Sequence, residues 1–183
     1  MAKKVPAKYP IPHWSHSSLM AFLRNPLAWY KRYVENVRDV PSTPASIVGR
    51  AGHKALEHYY GGAPKEAAIA IGLDYLRNVP DFEIDFGKAK SKKAQKMKRA
   101  LMEKEYLQAI GHYLERPPRH KVLGVEVSGV VTVDGLPLPL KAISDLVVES
   151  RVEKGAVDIV DHKFVASFSK MKNAKTLFVI QAL

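Results

Sequence analysis

The sequence predicts an α/β or α+β fold in which helices come first and one mixed β-sheet follows. Three observations support this fold class. Apolar residues recur at helical spacing through the first two thirds of the chain, Val- and Leu-rich runs flank Asp134-Gly135, and helical character returns after a third apolar run. With 183 residues, 46% of them hydrophobic, the chain is long enough for one domain with a core of its own.

Prolines and glycines divide the helical part. Ser15 or Ser17 offers an N-cap to a first helix, and Pro26 separates that helix from a second one over 27–34. After a linker over 38–45, further helices are predicted over 46–60, 64–78 and 88–114, with a turn region over 79–87.

The periodicity changes after Pro117-Pro118. Strands are predicted over 121–133 and 138–149 around the Asp134-Gly135 hairpin, a third over 156–164, and the start of a helix over 174–183. We therefore expect a single domain over 1–183. It has an extended basic arm (1–14), a mainly helical part (15–118), and a sheet core with the start of a C-terminal helix (119–183).

Composition excludes several classes of protein and site. Cysteine is absent, so disulfides, zinc–thiolate sites and protein-thiolate iron–sulfur clusters are excluded, and any metal must be held by oxygen and imidazole ligands. The sequence contains neither an apolar run of membrane-spanning length nor the apolar segment of a secretory signal. These features predict a cytoplasmic protein, of a bacterial or phage-infected cell, without a membrane partner.

The net charge of +11 is unevenly distributed. Between positions 88 and 104 there are eight basic residues and a single acid, Glu103. A solvated helix face would explain this segment equally well, but such a patch also binds phosphate backbones. The candidate DNA contacts are Lys88, Lys92, Lys93, Lys96 and Arg99.

The third predicted strand runs into Asp161-His162-Lys163. Side chains alternate along a strand, so Asp161 and Lys163 should share one face and His162 the other. Asp145 interrupts the neighbouring apolar run and could give a second carboxylate to a common cation. An adjacent ammonium can orient or deprotonate a water, although an isolated Asp-x-Lys is more often only an ion pair.

Three upstream residues extend this candidate site. Glu126 lies in the first strand and faces the same cleft, binds the metal through water, or only caps the sheet edge. His53 and Glu57 are four positions apart on one helix face, so His53 could bind a divalent cation with Glu57 in support. The alternative is an ordinary surface histidine, but Gly49 and Gly52 would allow this helix to approach the sheet closely.

Together these motifs resemble the PD-(D/E)XK nuclease superfamily, and within it the branch of the RecB and AddB nuclease domains and the CRISPR adaptation nucleases. The resemblance rests on motifs in a fixed order: Ser15-x-Ser17-x4-Phe22, Asn25-Pro26-x2-Trp29-Tyr30, Gly49-x3-His53-x2-Leu56-Glu57, Glu126, Ile143-Ser144-Asp145, Ile159-Val160-Asp161-His162-Lys163 and Gln181-Ala182-Leu183.

The resemblance implies a restriction-endonuclease-like core and a metal-dependent DNA nuclease, with exonuclease action in recombination, repair or phage DNA processing favoured. It implies that His53, Asp145, Asp161 and the carbonyl of His162 bind Mg²⁺ or Mn²⁺. Lys163 would then activate the water, and Gln181 would lie beside the site. Relatives in the branch carry a cluster cysteine where this chain has Asn25, so the iron–sulfur variant is excluded.

Relatives usually carry a tyrosine four residues after the glutamine, whereas this sequence ends at Leu183. Either the chain is truncated or the protein manages without that tyrosine. Helicases or recombination proteins are expected partners besides DNA. Two other classes stay open: a catalytically inactive DNA-binding module of a larger assembly, and an interaction protein whose acids form only ion pairs.

Overall fold

A computed structural model describes residues 9–38 and 40–164 of the chain. Within them, helices precede strands, as the sequence predicts. The elements are α1 (His16–Arg24), α2 (Pro26–Tyr33), α3 (Pro44–Tyr60), α4 (Lys65–Asn78), a 3₁₀ turn (Asp81–Glu83), α5 (Lys92–Glu115), β1 (Val122–Val131), β2 (Leu140–Glu149) and β3 (Val157–Val160). This order confirms the predicted α/β class and is consistent with a restriction-endonuclease-like core.

The described residues divide into two compact units, 9–38 with 128–143, and 40–127 with 144–164. The predicted single domain over 1–183 stays a prediction. Across the described parts of the chain, none of the helices combines the length and apolar character that a bilayer crossing requires.

An aromatic cluster forms the core of the first unit. Ser15 caps α1 by accepting a hydrogen bond from the Ser18 backbone N–H at 3.2 Å, which decides between the two predicted caps. The buried indole of Trp29 donates to Ser18 Oγ at 2.8 Å, and Trp14 stacks on it with ring centroids 5.4 Å apart. Phe22 packs edge-on against both indoles. Trp14 and Trp29 are therefore packing residues rather than exposed platforms for bases.

The second unit is built on α3, which packs against both α4 and α5. Its contact face presents buried small and branched residues, among them Ile47, Ala51 and Ala55. The fully buried Tyr106 of α5 donates its hydroxyl proton to the Ile69 carbonyl at 2.7 Å, so its polar end is satisfied within the apolar core.

The described strands form one sheet in the order β1-β2-β3. β2 and β3 pair antiparallel, from Glu149 opposite Val157 to Leu146 opposite Val160. Parallel pairing, which the predicted mixed sheet requires, is limited in the described residues to two isolated bridges, Trp14 with Leu140 and Ser42 with Ile84.

Two predicted boundaries differ from the structure by four residues, whereas the others within the described residues agree to within two. Helix α5 begins at Lys92 rather than at 88, because Ser91 caps it by accepting from the Ala94 N–H at 3.2 Å. Strand β3 ends at Val160 rather than at 164, because the N–H of His162 donates to a side chain of β2 instead of to its backbone.

Two helical glycines provide a matched test of the α3–α4–α5 packing. A Cβ on Gly72 would lie 2.6 Å from the Ala51 carbonyl oxygen and would overlap the Tyr106 hydroxyl, whereas a Cβ on Gly111 would meet no atom within 4 Å. We expect Gly72→Ala to lower the free energy of unfolding by about 1 to 3 kcal/mol. Gly111→Ala should raise it by about 0.5 to 1 kcal/mol, because alanine costs less backbone entropy in a helix. Urea unfolding of both variants measures the difference, and equal effects would contradict this packing.

Candidate active site

The carboxylate of Asp145 is the meeting point of three chain segments in the second unit. Asp145 lies on β2, and its Oδ2 accepts a hydrogen bond from the His162 backbone N–H at 2.7 Å. The same oxygen lies 3.3 Å from Nδ1 of His53 on α3 and 3.6 Å from Nδ1 of His162. Burial alone would raise the pKa of Asp145, but the hydrogen bonds from His162 and His53 outweigh it and hold that pKa well below its usual range. Asp145 is therefore an anion at neutral pH.

The register of the sheet also brings the two predicted acids together. The last β2–β3 pair is Leu146 opposite Val160, and Asp145 and Asp161 are the next residues beyond this pair, at the point where β3 ends. The two acids therefore lie at the same end of the β2–β3 ladder.

His53 reaches this carboxylate from α3. Its hydrogen bond with Asp145 raises the pKa of His53 above the usual value, partial burial opposes the shift, and the negative charge of Asp161 adds to it. Asp161 therefore lies close enough to His53 to act on it electrostatically. A helix, a strand and the segment after a second strand thus supply groups to one location.

A chain of hydrogen bonds continues from Asp145 into the protein. The ring of His162 is 8% exposed, and its Nε2 lies 3.1 Å from the Tyr113 hydroxyl. That hydroxyl lies 2.6 Å from the Tyr60 hydroxyl, and the Tyr60 ring stacks on the His162 ring with an interplanar angle of 19°. Nδ1 of the His162 ring faces the Asp145 carboxylate at 3.6 Å, and its Nε2 faces the Tyr113 hydroxyl. The two tyrosines therefore fix the orientation of this ring.

The ion pair of Asp161 and Lys163 lies beside this group. The Lys163 ammonium is 2.8 Å from Oδ1 and 2.7 Å from Oδ2 of Asp161, and both side chains are about one third exposed. His162 between them is buried, so the predicted alternation of faces holds although β3 has already ended. An accessible ammonium is thus held next to the acids.

Glu126 completes the acidic face from β1. Burial raises its pKa, and the negative charges of Asp145 and Glu57 raise it further. Its backbone φ of 50° lies in the left-handed region, which costs a side-chain-bearing residue about 1 kcal/mol or more. A strained glutamate that is held beside other acids is typical of a functional position.

Ligand atoms of His53, Glu126 and Asp145 all lie within 4.8 Å of one another. Adjacent and opposite ligands of an octahedral ion with bonds of about 2.1 Å are about 3 to 4 Å apart, so the group is close to the required dimensions. One imidazole and two carboxylates form a donor set that suits a divalent cation. Asp161 is not one of these three residues; it adjoins them and pairs with Lys163.

The small residues of α3 allow the chain to pass close behind the site. A Cβ on Gly52 would overlap the ring of Phe164, and one on Gly49 would lie 3.9 Å from Phe164 Cβ. The Phe164 ring also contacts His53, with centroids 5.7 Å apart. The predicted close approach of α3 is therefore present, and it fixes the residue that follows Lys163.

The other predicted site residues lie in different surroundings. Glu57 accepts a hydrogen bond from Lys54 at 2.9 Å. Its effect on the site is electrostatic, because its negative charge raises the pKa of Glu126. Gln181 lies outside the described residues. Arg99 donates to Asp81 at 2.6 Å and to the Val79 carbonyl, which ties α5 to the preceding turn. The four predicted lysine contacts, in contrast, are exposed: Lys88, Lys92, Lys93 and Lys96.

Sequence reasoning missed Tyr60 and Tyr113. Both helices were predicted, but the hydroxyl contact joins residues 53 positions apart, and no local pattern signals such a pair. The only available sign was that each tyrosine lies near the C-terminus of a predicted helix.

Comparison with known proteins yields one match. The sequence model of the PD-(D/E)XK nuclease superfamily matches residues 13–181. The search of curated proteins and the search of solved structures each found no match.

Removing the Tyr113 hydroxyl tests the hydrogen-bonded chain behind Asp145. Tyr113→Phe keeps the ring but removes the partner of both His162 and Tyr60, so Asp145 loses part of its support. We expect the affinity for Mn²⁺ to fall about tenfold or more, as for other partners of metal ligands. Calorimetric titration with Mn²⁺ measures this change. Tyr75→Phe is the control, since the Tyr75 hydroxyl makes no hydrogen bond among the described residues, and equal affinities of both variants would contradict a positioning role.

The strained backbone of Glu126 gives a second test. Glu126→Gly and Glu126→Ala both remove the carboxylate, so both should bind Mn²⁺ more weakly than the wild type does. Only glycine relieves the left-handed strain, so Glu126→Gly should be more stable than Glu126→Ala by about 1 kcal/mol. Urea unfolding in EDTA measures this difference. Equal stability would show that the backbone at 126 is not strained.

Proposed function

Because the chain belongs to the PD-(D/E)XK nuclease superfamily, we propose that it is a divalent-metal-dependent deoxyribonuclease that hydrolyses phosphodiester bonds. The observation that carries this proposal is the grouping of His53, Glu126 and Asp145 beside the Asp161–Lys163 pair. The group offers a cation position, and the pair offers an ammonium within the same unit of the fold.

Mg²⁺ or Mn²⁺ is the proposed ion, held by His53, Glu126 and Asp145. Asp161 and the carbonyl of His162 are further proposed ligands. When bound, such an ion polarises the scissile phosphate and lowers the pKa of a coordinated water. The protein's part is to present an ionised Asp145, which its hydrogen bonds from His53 and His162 maintain.

Hydrolysis forms a bond from phosphorus to the water oxygen and breaks the bond to one sugar oxygen, which leaves with a proton. We assign to Lys163 the orientation of the attacking water and the stabilisation of charge on the phosphoryl oxygens in the transition state. Asp161 holds the ammonium at 2.7 to 2.8 Å while leaving it one third exposed, so a phosphate can still reach it.

Substrate binding is proposed for the basic beginning of α5. Lys92, Lys93 and Lys96 are exposed there, and Lys88 is exposed just before the helix. Such lysines interact with phosphates independently of base sequence. The guanidinium of Arg99 is engaged by Asp81 and Val79, so Arg99 would help this surface mainly by anchoring the helix.

The motif order supports a finer assignment. Ser15-x-Ser17, the His53 helix motif and the Asp161-His162-Lys163 triplet favour the RecB- and AddB-like branch. We therefore propose exonuclease action on DNA ends in recombination, repair or phage DNA processing, beside helicases or recombination proteins.

Cleavage of end-labelled linear DNA and of closed circular DNA tests this proposal. With Mg²⁺ or Mn²⁺, the wild type should degrade the linear DNA and spare the circle. Lys163→Ala should lose about 100-fold or more of this activity, the scale of removing one transition-state contact. Lys154→Ala is the control, because it removes the same charge from an exposed turn between β2 and β3.

Three outcomes would change the assignment. Cutting of the circle would indicate an endonuclease. Binding of DNA without cleavage in either metal would favour an inactive binding module. Equal activity of Lys163→Ala and Lys154→Ala would remove Lys163 from the mechanism.

A further inference from the structure

A second concave feature lies near the site but is not used by the proposed mechanism. It is an open cavity of about 860 Å³ in the second unit, at the C-terminal ends of α3 and α5. Most of the residues that line it have aromatic or charged side chains: Tyr59, Tyr60, Glu115, Arg116, Arg119 and His120.

The charge of this cavity suits an anion. Arg116 and Arg119 are exposed, and neither forms an ion pair with any residue that the structure describes. Glu115 is the one acid among the lining residues. Burial lowers the pKa of His120, the charge of Arg151 lowers it further, and the charge of Asp158 opposes this shift, so Arg151 and Asp158 both lie near the opening. The three arginines Arg116, Arg119 and Arg151 therefore face the two acids Glu115 and Asp158. Positive charge therefore exceeds negative charge around the opening.

Tyr60 connects the cavity with the candidate active site. Its ring lines the cavity, stacks on His162 with centroids 5.7 Å apart, and lies 5.9 Å from the His120 ring. The His162 backbone donates in turn to Asp145. The cavity and the acidic group thus lie on either side of one buried histidine.

We propose that this cavity binds a nucleotide of the substrate strand, on the other side of His162 from the acidic group. Arg116 and Arg119 would hold its phosphate, since guanidinium groups form charge-assisted hydrogen bonds with phosphate oxygens. The base would stack against Tyr59 or Tyr60, an interaction that tolerates any base. The cavity is large enough, as pockets for small ligands range from about 300 to 1,000 Å³. This inference rests on the proposed nuclease function.

Equilibrium binding in EDTA tests the cavity without any cleavage. The probes are thymidine 5′-monophosphate, thymidine, inorganic phosphate and a 5′-phosphorylated tetrathymidylate, each measured by calorimetry. We expect the tetranucleotide to bind most tightly, the mononucleotide next, and thymidine or phosphate alone more weakly. This ranking is expected because a strand nucleotide provides both the stacking and the ionic contact.

Single variants then locate the binding. Arg116→Ala and Arg119→Ala should each weaken mononucleotide binding about tenfold or more, the effect of losing one hydrogen bond to a charged group. Glu115→Gln should strengthen it, because it removes the opposing charge. Lys154→Ala, with the same charge loss outside the cavity, should leave it unchanged.

Equal weakening by Lys154→Ala and the arginine variants would reduce the effect to net charge and overturn the proposal. Tighter binding of the free mononucleotide than of the tetranucleotide would overturn its assignment to the substrate strand. Since no cleavage is involved, these results stand apart from the Lys163→Ala assay. A loss of nucleotide binding in Arg116→Ala would support the cavity even if no nuclease activity were found.

Discussion

The structure of the candidate site depends on one atom, Oδ2 of the partly buried carboxylate of Asp145. It receives the His162 N–H and faces both imidazole Nδ1 atoms, so α3, β2 and the segment after β3 are joined at a single atom. The cost of burying the charge is offset by these donors, which keep the carboxylate ionised. Without that anion, the three segments would have no common polar partner at this location.

The negative charges around this atom repel one another, and a bound cation would relieve this repulsion. Glu126 and Asp145 repel each other, and Glu57 adds to the repulsion. Lys163 offsets part of the negative charge, but it is paired with Asp161 rather than with the ligand group. The fold therefore keeps two functions apart: a cluster of ligands with excess negative charge, and an ammonium with its own carboxylate. The match of residues 13–181 to a nuclease superfamily gives this separation a chemical reason.

Local patterns predicted most of the fold because each element carries its own signals. Prolines, caps and the change from helical to strand periodicity located the five α-helices and three strands of residues 9–38 and 40–164, and the Asp-x-Lys motif with Asp145 located the acids. Local sequence patterns did not predict the structure where a residue that is distant in the sequence determines it. Strand β3 ends early because the Asp145 side chain on β2 accepts the hydrogen bond of the His162 N–H. The contact of Tyr60 with Tyr113 forms only when α3 and α5 pack against each other. The left-handed backbone of Glu126 likewise has no signal in the sequence, since glutamate does not favour it.

The missing side chain at position 52 has a consequence for how this site can change during evolution. The Phe164 ring occupies the space that any larger residue at 52 would take, and Phe164 follows Lys163 directly. A mutation on α3 that adds a single methyl group at position 52 would thus push the Phe164 ring, which belongs to the residue directly after Lys163, without touching any charged residue. Changes at 52 and 164 are therefore coupled: a side chain at position 52 becomes tolerable only after the residue at 164 has become smaller.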